Sequence, residues 1–295
     1  MTTEHLNGVV APLLTPFDDA GQPHAERFVA HAQRLLTDGC TALAPFGTTG
    51  EATSLGMQER RSLLDALVDG GIAPAQLLPG TGSCSLADCV QLTRQAVEHG
   101  CAGVLLLPPF YYKGISDEGI FRFVAEVVEQ VGDERLRVYL YHIPPQAVIG
   151  YSVELVGRLR DAYPQTVVGL KDSSGDWQNT AAVIQAFPGF ATFSGSEISL
   201  LANLRAGGAG CITATANVNA GPLRELFDNW QNDAADEMQA AITARRELIQ
   251  SKPMIPMLKH IVARHTGDPG WLRVRPPLLE LAAEDAQTVL TSLAA

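Results

Sequence analysis

The sequence predicts an α/β fold, a (β/α)₈ TIM barrel with a C-terminal helical appendage, and three observations predict it. Apolar runs too short to be helices recur along the chain, eight in all. Longer amphipathic segments, such as AERFVAHAQRLLTDG (25–39) and LADCVQLTRQAVEHG (86–100), alternate with them. Beyond Ala220 the short runs stop and only helical patterns follow.

The eight runs are GVVAPLL (8–14), TALAPF (41–46), QLLPGT (76–81), AGVLLL (102–107), RVYLYH (137–142), TVVGLK (166–171), FATFSG (190–195) and GCITAT (210–215). Short apolar strands alternating with helices are the pattern of βα units and a parallel sheet. Eight units within about 220 residues favour a closed barrel over an open sheet. Residues 1–222 are expected to form this barrel and residues 223–295 the helical region. In the latter, PLRELFDNW, ADEMQAAITARRELIQ, PMIPMLKHIVARHTG and EDAQTVLTSLAA read as helices, with breaks at Lys252-Pro253 and Asp268-Pro269.

Of 295 residues, 46% are hydrophobic and 18% charged, enough for a large core. The net charge of -11 leaves no basic footprint for nucleic acid or an anionic membrane surface, which points to a small-molecule partner. The opening MTTEHLNGVVAPLLTPF lacks a basic region followed by a long apolar one, and the chain has no apolar stretch of membrane-spanning length, so a cytoplasmic protein is expected. The five cysteines, Cys40, Cys84, Cys89, Cys101 and Cys211, are scattered without C-x-x-C pairs and read as small buried hydrophobes.

In a parallel barrel the reactive groups sit where strands end, so the residues closing each run are the ones to inspect. The sixth run closes on Lys171, the only one of four lysines placed so. With a period of two, Val167, Gly169 and Lys171 share a face opposite Val168 and Leu170. A desolvated amine there is a nucleophile for a ketone carbon. The alternative is an ion pair with an acid such as Asp172. The fifth run closes on Tyr141, whose phenol could move protons at the same rim or serve only as an amphipathic strand end. His142 alternates to the other face and reads as structural.

The second run leads into GTTGE, where Gly47 and Gly50 bracket Thr48 and Thr49. Exposed amides, two hydroxyls and a following helix N-terminus would receive a carboxylate, with Glu51 read as a helix N-terminal charge. Tyr111 and Tyr112 in PPFYYKG lie on the loop after the fourth run and read, on composition, as rim packing. Gly195 in SGSE and Ile212 in GCITATANV supply small backbone elements against which a planar substrate can lie.

Taken in order, Lys171, Tyr141 and GTTGE resemble the dihydrodipicolinate synthase / N-acetylneuraminate lyase family of pyruvate-dependent class I aldolases. The resemblance runs from the TPF near Phe17 through the C-terminal helices. It rests jointly on GTTGE (47–51), Y-x-x-P (141–144), G-x-K-D/E (169–172) and SGS followed by a glycine-rich eighth run. It implies that Lys171 forms a Schiff base with pyruvate or another 2-oxo acid, that Tyr141 shuttles protons, and that Thr48 and Thr49 hold the carboxylate and relay protons. It implies a further tyrosine donated by a neighbouring subunit, Tyr111 or, one residue on, Tyr112, and hence a homodimer or homotetramer. A covalent lysine imine needs no cofactor and no metal.

Two departures bear on the substrate. Where synthases of this family commonly carry an arginine two residues past the Y-x-x-P proline, gripping the aldehyde partner's carboxylate, this chain has Gln146, and an amide cannot replace bidentate guanidinium binding. Sialic acid lyases usually have serine where Thr48 stands. The expected acceptor end therefore lies near Gln146, Phe110 and the residues after Lys171, and suits a 2-keto-3-deoxy sugar acid or a 4-hydroxy-2-oxo acid. The alternatives are 4-hydroxy-tetrahydrodipicolinate synthase, which condenses pyruvate with aspartate semialdehyde, and, from another class, a non-catalytic 2-oxo-acid-binding protein. A metal-dependent barrel hydrolase is disfavoured, because the ends of the runs carry no clear His/Asp/Glu ligand set.

Overall fold

The computed structural model describes residues 5–293. Seven parallel strands, β1 (Gly8–Ala11), β2 (Ala42–Leu43), β3 (Val104–Leu106), β4 (Val138–His142), β5 (Val167–Asp172), β6 (Ala191–Ser194) and β7 (Gly210–Ile212), follow the order β2-β1-β7-β6-β5-β4-β3. The third of the eight expected runs closes the ring without a continuous ladder of its own. It makes two isolated parallel bridges, Leu43 with Leu77 and Gly80 with Leu105. Pro79 lies between the bridged residues and has no N–H to donate, so the ladder cannot propagate through it. The backbone N–H groups of Leu78 and Leu105 still reach Leu43 O and Pro79 O, at 2.8 and 2.9 Å, and seal the barrel.

Strand alternation separates two cores. Val10, Ala42, Leu78, Leu105, Tyr139, Phe193 and Ile212 point inward. Val9, Leu43, Leu77, Val104, Leu106, Leu140 and Leu170 point out toward the helices. Period-two counting fails at one place: the β4–β5 register shifts between Val138 and Tyr139. This bulge sets two residues of β5 against one of β4. Val167 consequently packs outside with Leu170, and Val168 inside, while Gly169 and Lys171 pair with Tyr139 and Tyr141. Gly169 has to be glycine, because a Cβ there would strike the Tyr139 ring and lie 2.5 Å from Ala191 O. Tyr139 thus fills the barrel's interior beneath Lys171.

The helices are α1 (Ala25–Thr37), α2 (Met57–Asp69), α3 (Leu86–His99), α4 (Asp117–Val131), α5 (Pro144–Ala147), α6 (Val153–Ala162), α7 (Trp177–Ala186), α8 (Leu200–Arg205), α9 (Ala216–Asn229), α10 (Ala235–Gln250), α11 (Met254–Thr266) and α12 (Ala283–Ser292). Side-chain oxygens of Ser85, Ser116 and Ser152 accept from N–H groups in the first turns of α3, α4 and α6. α1 buries Phe28, His31, Ala32 and Leu35, one stripe at helical spacing. Full burial of a Phe or Leu side chain contributes roughly 2–3 kcal/mol, so this stripe fixes α1 to the barrel.

The expected division after residue 222 falls inside α9, which bends at Asn219 (φ -144°, ψ 26°) and carries Pro222 in its interior. The expected breaks at Pro253 and Pro269 separate α10 from α11 and follow α11. The final helix is described to Ser292, and the expected limits at residues 1–4 and 294–295 lie outside the described residues. Helices α10–α12 and the turn at Trp271 share a third core of Ile249, Met257, Leu258, Val262, Trp271, Ala286 and Val289 with Leu14, just past β1, so they dock on the rim of the barrel where the strands end. No described helix is long and apolar enough to cross a membrane. Cys40, Cys89 and Cys211 are buried as expected, but Cys84 is exposed because it sits in the loop before α3 rather than on an apolar face.

Candidate active site

Lys171 and Tyr141 are register partners on β5 and β4, so alternation turns both into the barrel mouth. Lys171 is 4% exposed, and its Nζ sits 4.2 Å from the centroid of the Tyr141 ring. Among the described residues no carboxylate approaches this amine within 4.0 Å. The ion pair with Asp172 does not form. β5 continues through Asp172, whose side chain faces the helix layer and accepts from Ser174 N, Asn179 Nδ2 and Thr180 Oγ1, each at 2.8 Å. The acid next in sequence is thereby committed elsewhere.

The Tyr141 hydroxyl lies 3.2 Å from Thr48 Oγ1. Thr48 is exposed to the mouth and Thr49 is buried behind it. Their turn is strained and tightly held. Phe46 and Glu51 flank it at φ 63° and 56°, a region costly for residues other than glycine. Thr15 Oγ1 donates to Gly50 O at 2.7 Å, and a Cβ on Gly50 would lie 2.6 Å from Leu13 O. No long helix starts directly behind the turn. A three-residue 3-10 turn, Ala52–Ser54, intervenes before α2, so hydroxyls and turn amides, not a helix terminus, face the mouth.

Glu51 is a correction to its sequence reading. It is buried, and its Oε1 accepts from Lys259 Nζ of α11 at 2.5 Å while its Oε2 accepts from Arg275 N at 2.8 Å. Lys259 also donates to Arg273 O at 2.6 Å. Burial lowers the Lys259 pKa, with Glu51 opposing that shift. The C-terminal helices therefore brace the Thr48–Thr49 turn through a buried ion pair. One sequence signal marks it: a lysine in the apolar stripe of α11 with Ile255, Leu258 and Val262 needs a buried partner.

A cavity of about 410 Å³ gathers Lys171, Tyr141, Thr48, Thr49, Gly195, Ile212 and Gln146. Gly195 donates its N–H to Asp172 O at 2.6 Å, and a Cβ there would run into Ser173, so the β6 loop can close over β5 only as glycine. Gln146 rides on the single turn α5 and is exposed at the mouth. Phe110 lines a neighbouring cavity of about 540 Å³ that shares Thr48, Tyr141, Ile143 and Gln146 with the first. It does not line the Lys171 cavity. His142, as expected, is structural: it is buried, its Nδ1 accepts from Tyr151 N at 2.9 Å, and burial lowers its pKa.

Sequence reading missed one further wall. Arg246 of α10 reaches the cavity from the appendage and donates to Glu197 Oε2 at 2.9 Å and to Thr213 Oγ1 at 3.1 Å. Glu197 is fully buried and also accepts from the hydroxyls of Thr213 and Thr215. Tyr111 and Tyr112 lie outside both cavities, at 73% and 69% exposure, edge to face with each other at 5.4 Å. Within one chain neither reaches Thr48 or Tyr141. Among the described residues no three His, Cys, Asp or Glu side chains are grouped to hold a metal ion.

Against known proteins, the family model for the Dihydrodipicolinate synthetase family matches residues 5–295. An uncharacterized DapA-like lyase of Chloroflexus aurantiacus is 30% identical over 280 residues, 94% of this chain and 93% of that protein. The crystal structure of dihydrodipicolinate synthase from Agrobacterium tumefaciens superposes with a TM-score of 0.90 at 33% identity, covering 97% of this chain and 98% of that one. A prophage protein of the dihydrodipicolinic acid synthase family from E. coli K12, solved in complex with pyruvate, superposes at 0.89 with 24% identity, covering 98% and 97%, a likeness of fold.

Proposed function

This chain belongs to the dihydrodipicolinate synthetase family of pyruvate-dependent class I aldolases and lyases, and on that premise we propose that Lys171 forms the imine and that the substrate is a 2-keto-3-deoxy sugar acid or a 4-hydroxy-2-oxo acid. The carrying observation is a buried amine, without an ion-pair partner among the described residues, beside a phenol that is itself hydrogen-bonded to Thr48.

The lone pair of Lys171 Nζ adds to the C2 carbonyl of the 2-oxo acid, and the carbinolamine loses water to give the imine. Thr48 and Thr49 orient the carboxylate. In the cleavage direction Tyr141 takes the proton of the C4 hydroxyl as the C3–C4 bond breaks. Its electron pair passes into the imine as an enamine, and an aldehyde leaves. In the reverse direction the enamine adds to that aldehyde. Protons leave through the Tyr141–Thr48 contact, completed by Tyr111 or, failing it, Tyr112 of a neighbouring subunit. Their exposure on the isolated chain supports a homodimer or homotetramer. The unpaired state of all five cysteines supports a cytoplasmic location.

The sugar-acid or hydroxy-acid reading draws on the mouth. Gln146 offers an amide, Ser173, Ser196 and Ser199 offer hydroxyls, and Arg246 already has its carboxylate in Glu197. Hydroxyl groups of a substrate match such a wall better than a second free carboxylate does. Synthase activity is the second reading, favoured by the 33% identical synthase and by the nearness of Arg246 to the cavity. Borohydride reduction in the presence of pyruvate, followed by peptide mapping, is expected to place the adduct on Lys171; an adduct elsewhere, or none while pyruvate binds, overturns the mechanism. Turnover on a panel of sugar-derived and hydroxy 2-oxo acids, against coupled turnover of pyruvate with aspartate semialdehyde, decides the substrate.

A further inference from the structure

Behind the catalytic rim, where α9 bends between α1 and helices α10–α11, lies a second, separate cavity of about 380 Å³. Its polar lining is Arg34, Asp38, Asn217, Asn219, Arg245 and His265. Arg34 is largely committed. It donates to Asp38 Oδ2 at 3.0 Å, to His31 Nδ1 at 3.0 Å and to Asn217 O at 3.1 Å, leaving only its Nε unpartnered.

Arg245 is different. Among the described residues it has neither a carboxylate within 4.0 Å nor a hydrogen-bond partner, and its Nε is buried. Its neighbour Arg246, turned to the other side of α10, has Glu197. Burial alone lowers the Arg245 pKa, with no nearby acid raising it. A half-buried guanidinium without a counter-charge is unfavourable unless something supplies one. The Asn219 side chain, 5% exposed, also makes no hydrogen bond among the described residues. Asp38 balances Arg34, so one guanidinium charge is left over, in a molecule whose net charge is -11.

We propose that this cavity binds a small phosphate-type oxyanion, inorganic phosphate or the phosphate of a phosphomonoester, held bidentately by the two terminal nitrogens of Arg245 and completed by Asn219 and His265. Guanidinium is the group best shaped for two parallel N–H···O bonds to such an anion. The lining residues approach from different helices, an arrangement that serves the several acceptor oxygens of a tetrahedral anion better than a flat carboxylate.

The test is isothermal calorimetry, with ³¹P NMR as a second observable, of the full chain against inorganic phosphate, glycerol 3-phosphate and acetate, at constant ionic strength set with chloride. Saturable binding of one or both phosphates with acetate inert is expected, and the better binder of the two identifies the source. Arg245→Gln should weaken binding about tenfold or more, as loss of a charge-assisted pair does, while Arg245→Lys keeps part of it and Arg122→Gln, on the exposed face of α4, changes nothing. Circular dichroism checks that each variant folds. Failure of both phosphates to bind, acetate binding equally well, or undiminished binding by folded Arg245→Gln each overturns the proposal. Trapping on Lys171 is read in parallel and is independent of these outcomes.

Discussion

Lys171 and Lys259 are both buried amines that approach an aromatic ring, yet Lys259 is enclosed by hydrogen-bonding partners and Lys171 has none among the described residues. Lys259 lies 4.6 Å from the centroid of Phe17, with Glu51 and the Arg273 carbonyl as its hydrogen-bond acceptors. Lys171 has the Tyr141 ring and an open cavity. A buried charge with two acceptors has little reason to react, and its partners gain a fixed geometry. A buried amine that faces an open cavity with no carboxylate in the way is placed to attack a carbonyl carbon. The two lysines thus separate the molecule into a reactive mouth and a brace that shapes it.

The largest expected effect breaks the reactive half. Lys171→Met should abolish pyruvate trapping and lower turnover by about ten-thousandfold or more, the scale seen when a nucleophile is lost. Because no ion pair is broken, its urea midpoint should stay near that of the parent protein. A collapse in stability would mean that Lys171 belongs with Lys259 as a structural residue.

Breaking the brace gives the opposite signature. Lys259→Met leaves Glu51 buried and uncompensated, and should cost about 3–5 kcal/mol in urea unfolding. Adding Glu51→Leu should recover part of that loss, since replacing both members of a buried pair is far milder than replacing one. Activity is expected to fall as well, through displacement of Thr48 and Thr49. If the single and double variants are equally unstable, the Glu51–Lys259 contact is not what holds the turn.

Smaller still, Tyr141→Phe keeps the ring beneath the amine and removes only the hydroxyl that meets Thr48. Turnover should drop about 100- to 1,000-fold, the range for a lost proton-transfer group, while pyruvate is still trapped on Lys171, though more slowly. Trapping and turnover falling by the same factor would assign the hydroxyl to imine formation alone.

How far all this was readable from sequence depends on the range of the interaction. The βα period is local, and seven of the eight runs became strands. The remaining one, the third, kept its place in the ring but lost its ladder at Pro79. Lys171, Tyr141, Thr48, Thr49, Gly195, Ile212 and Gln146 meet in one cavity because each closes or follows a strand, and strand ends converge in a parallel barrel. What could not be counted was the β4–β5 bulge, which moves Val167 outward and Val168 inward. The reach of Lys259 to Glu51, 208 residues away, and of Arg246 to Glu197, 49 residues away, likewise depends on where α10 and α11 dock. Tyr111 illustrates the remaining limit: its expected role depends on a second chain, so neither the sequence nor the fold of one chain brings it to the mouth.

His31 sharpens the contrast between the lysines from a third direction, because it is a buried titratable group fully satisfied while neutral. Its Nε2–H donates to Asn217 Oδ1 at 2.8 Å and its Nδ1 accepts from Arg34 Nη2 at 3.0 Å. A second proton would have to sit on Nδ1 and face the guanidinium. Burial first, then the Arg34 charge, hold its pKa down to about 3 from the usual 6.5. The folded protein therefore binds fewer protons than the unfolded chain between these values, so this group's contribution is complete above pH 6.5 and lost as pH falls toward 3. Its slope is about 1.4 kcal/mol per pH unit within that window. In urea titrations from pH 7 to pH 4, His31→Gln should start less stable and decline less steeply than the parent protein, the two curves converging at the acid end. Parallel curves would place the acid sensitivity in the carboxylates, and the Asn217–His31–Arg34 chain would then be no more than packing.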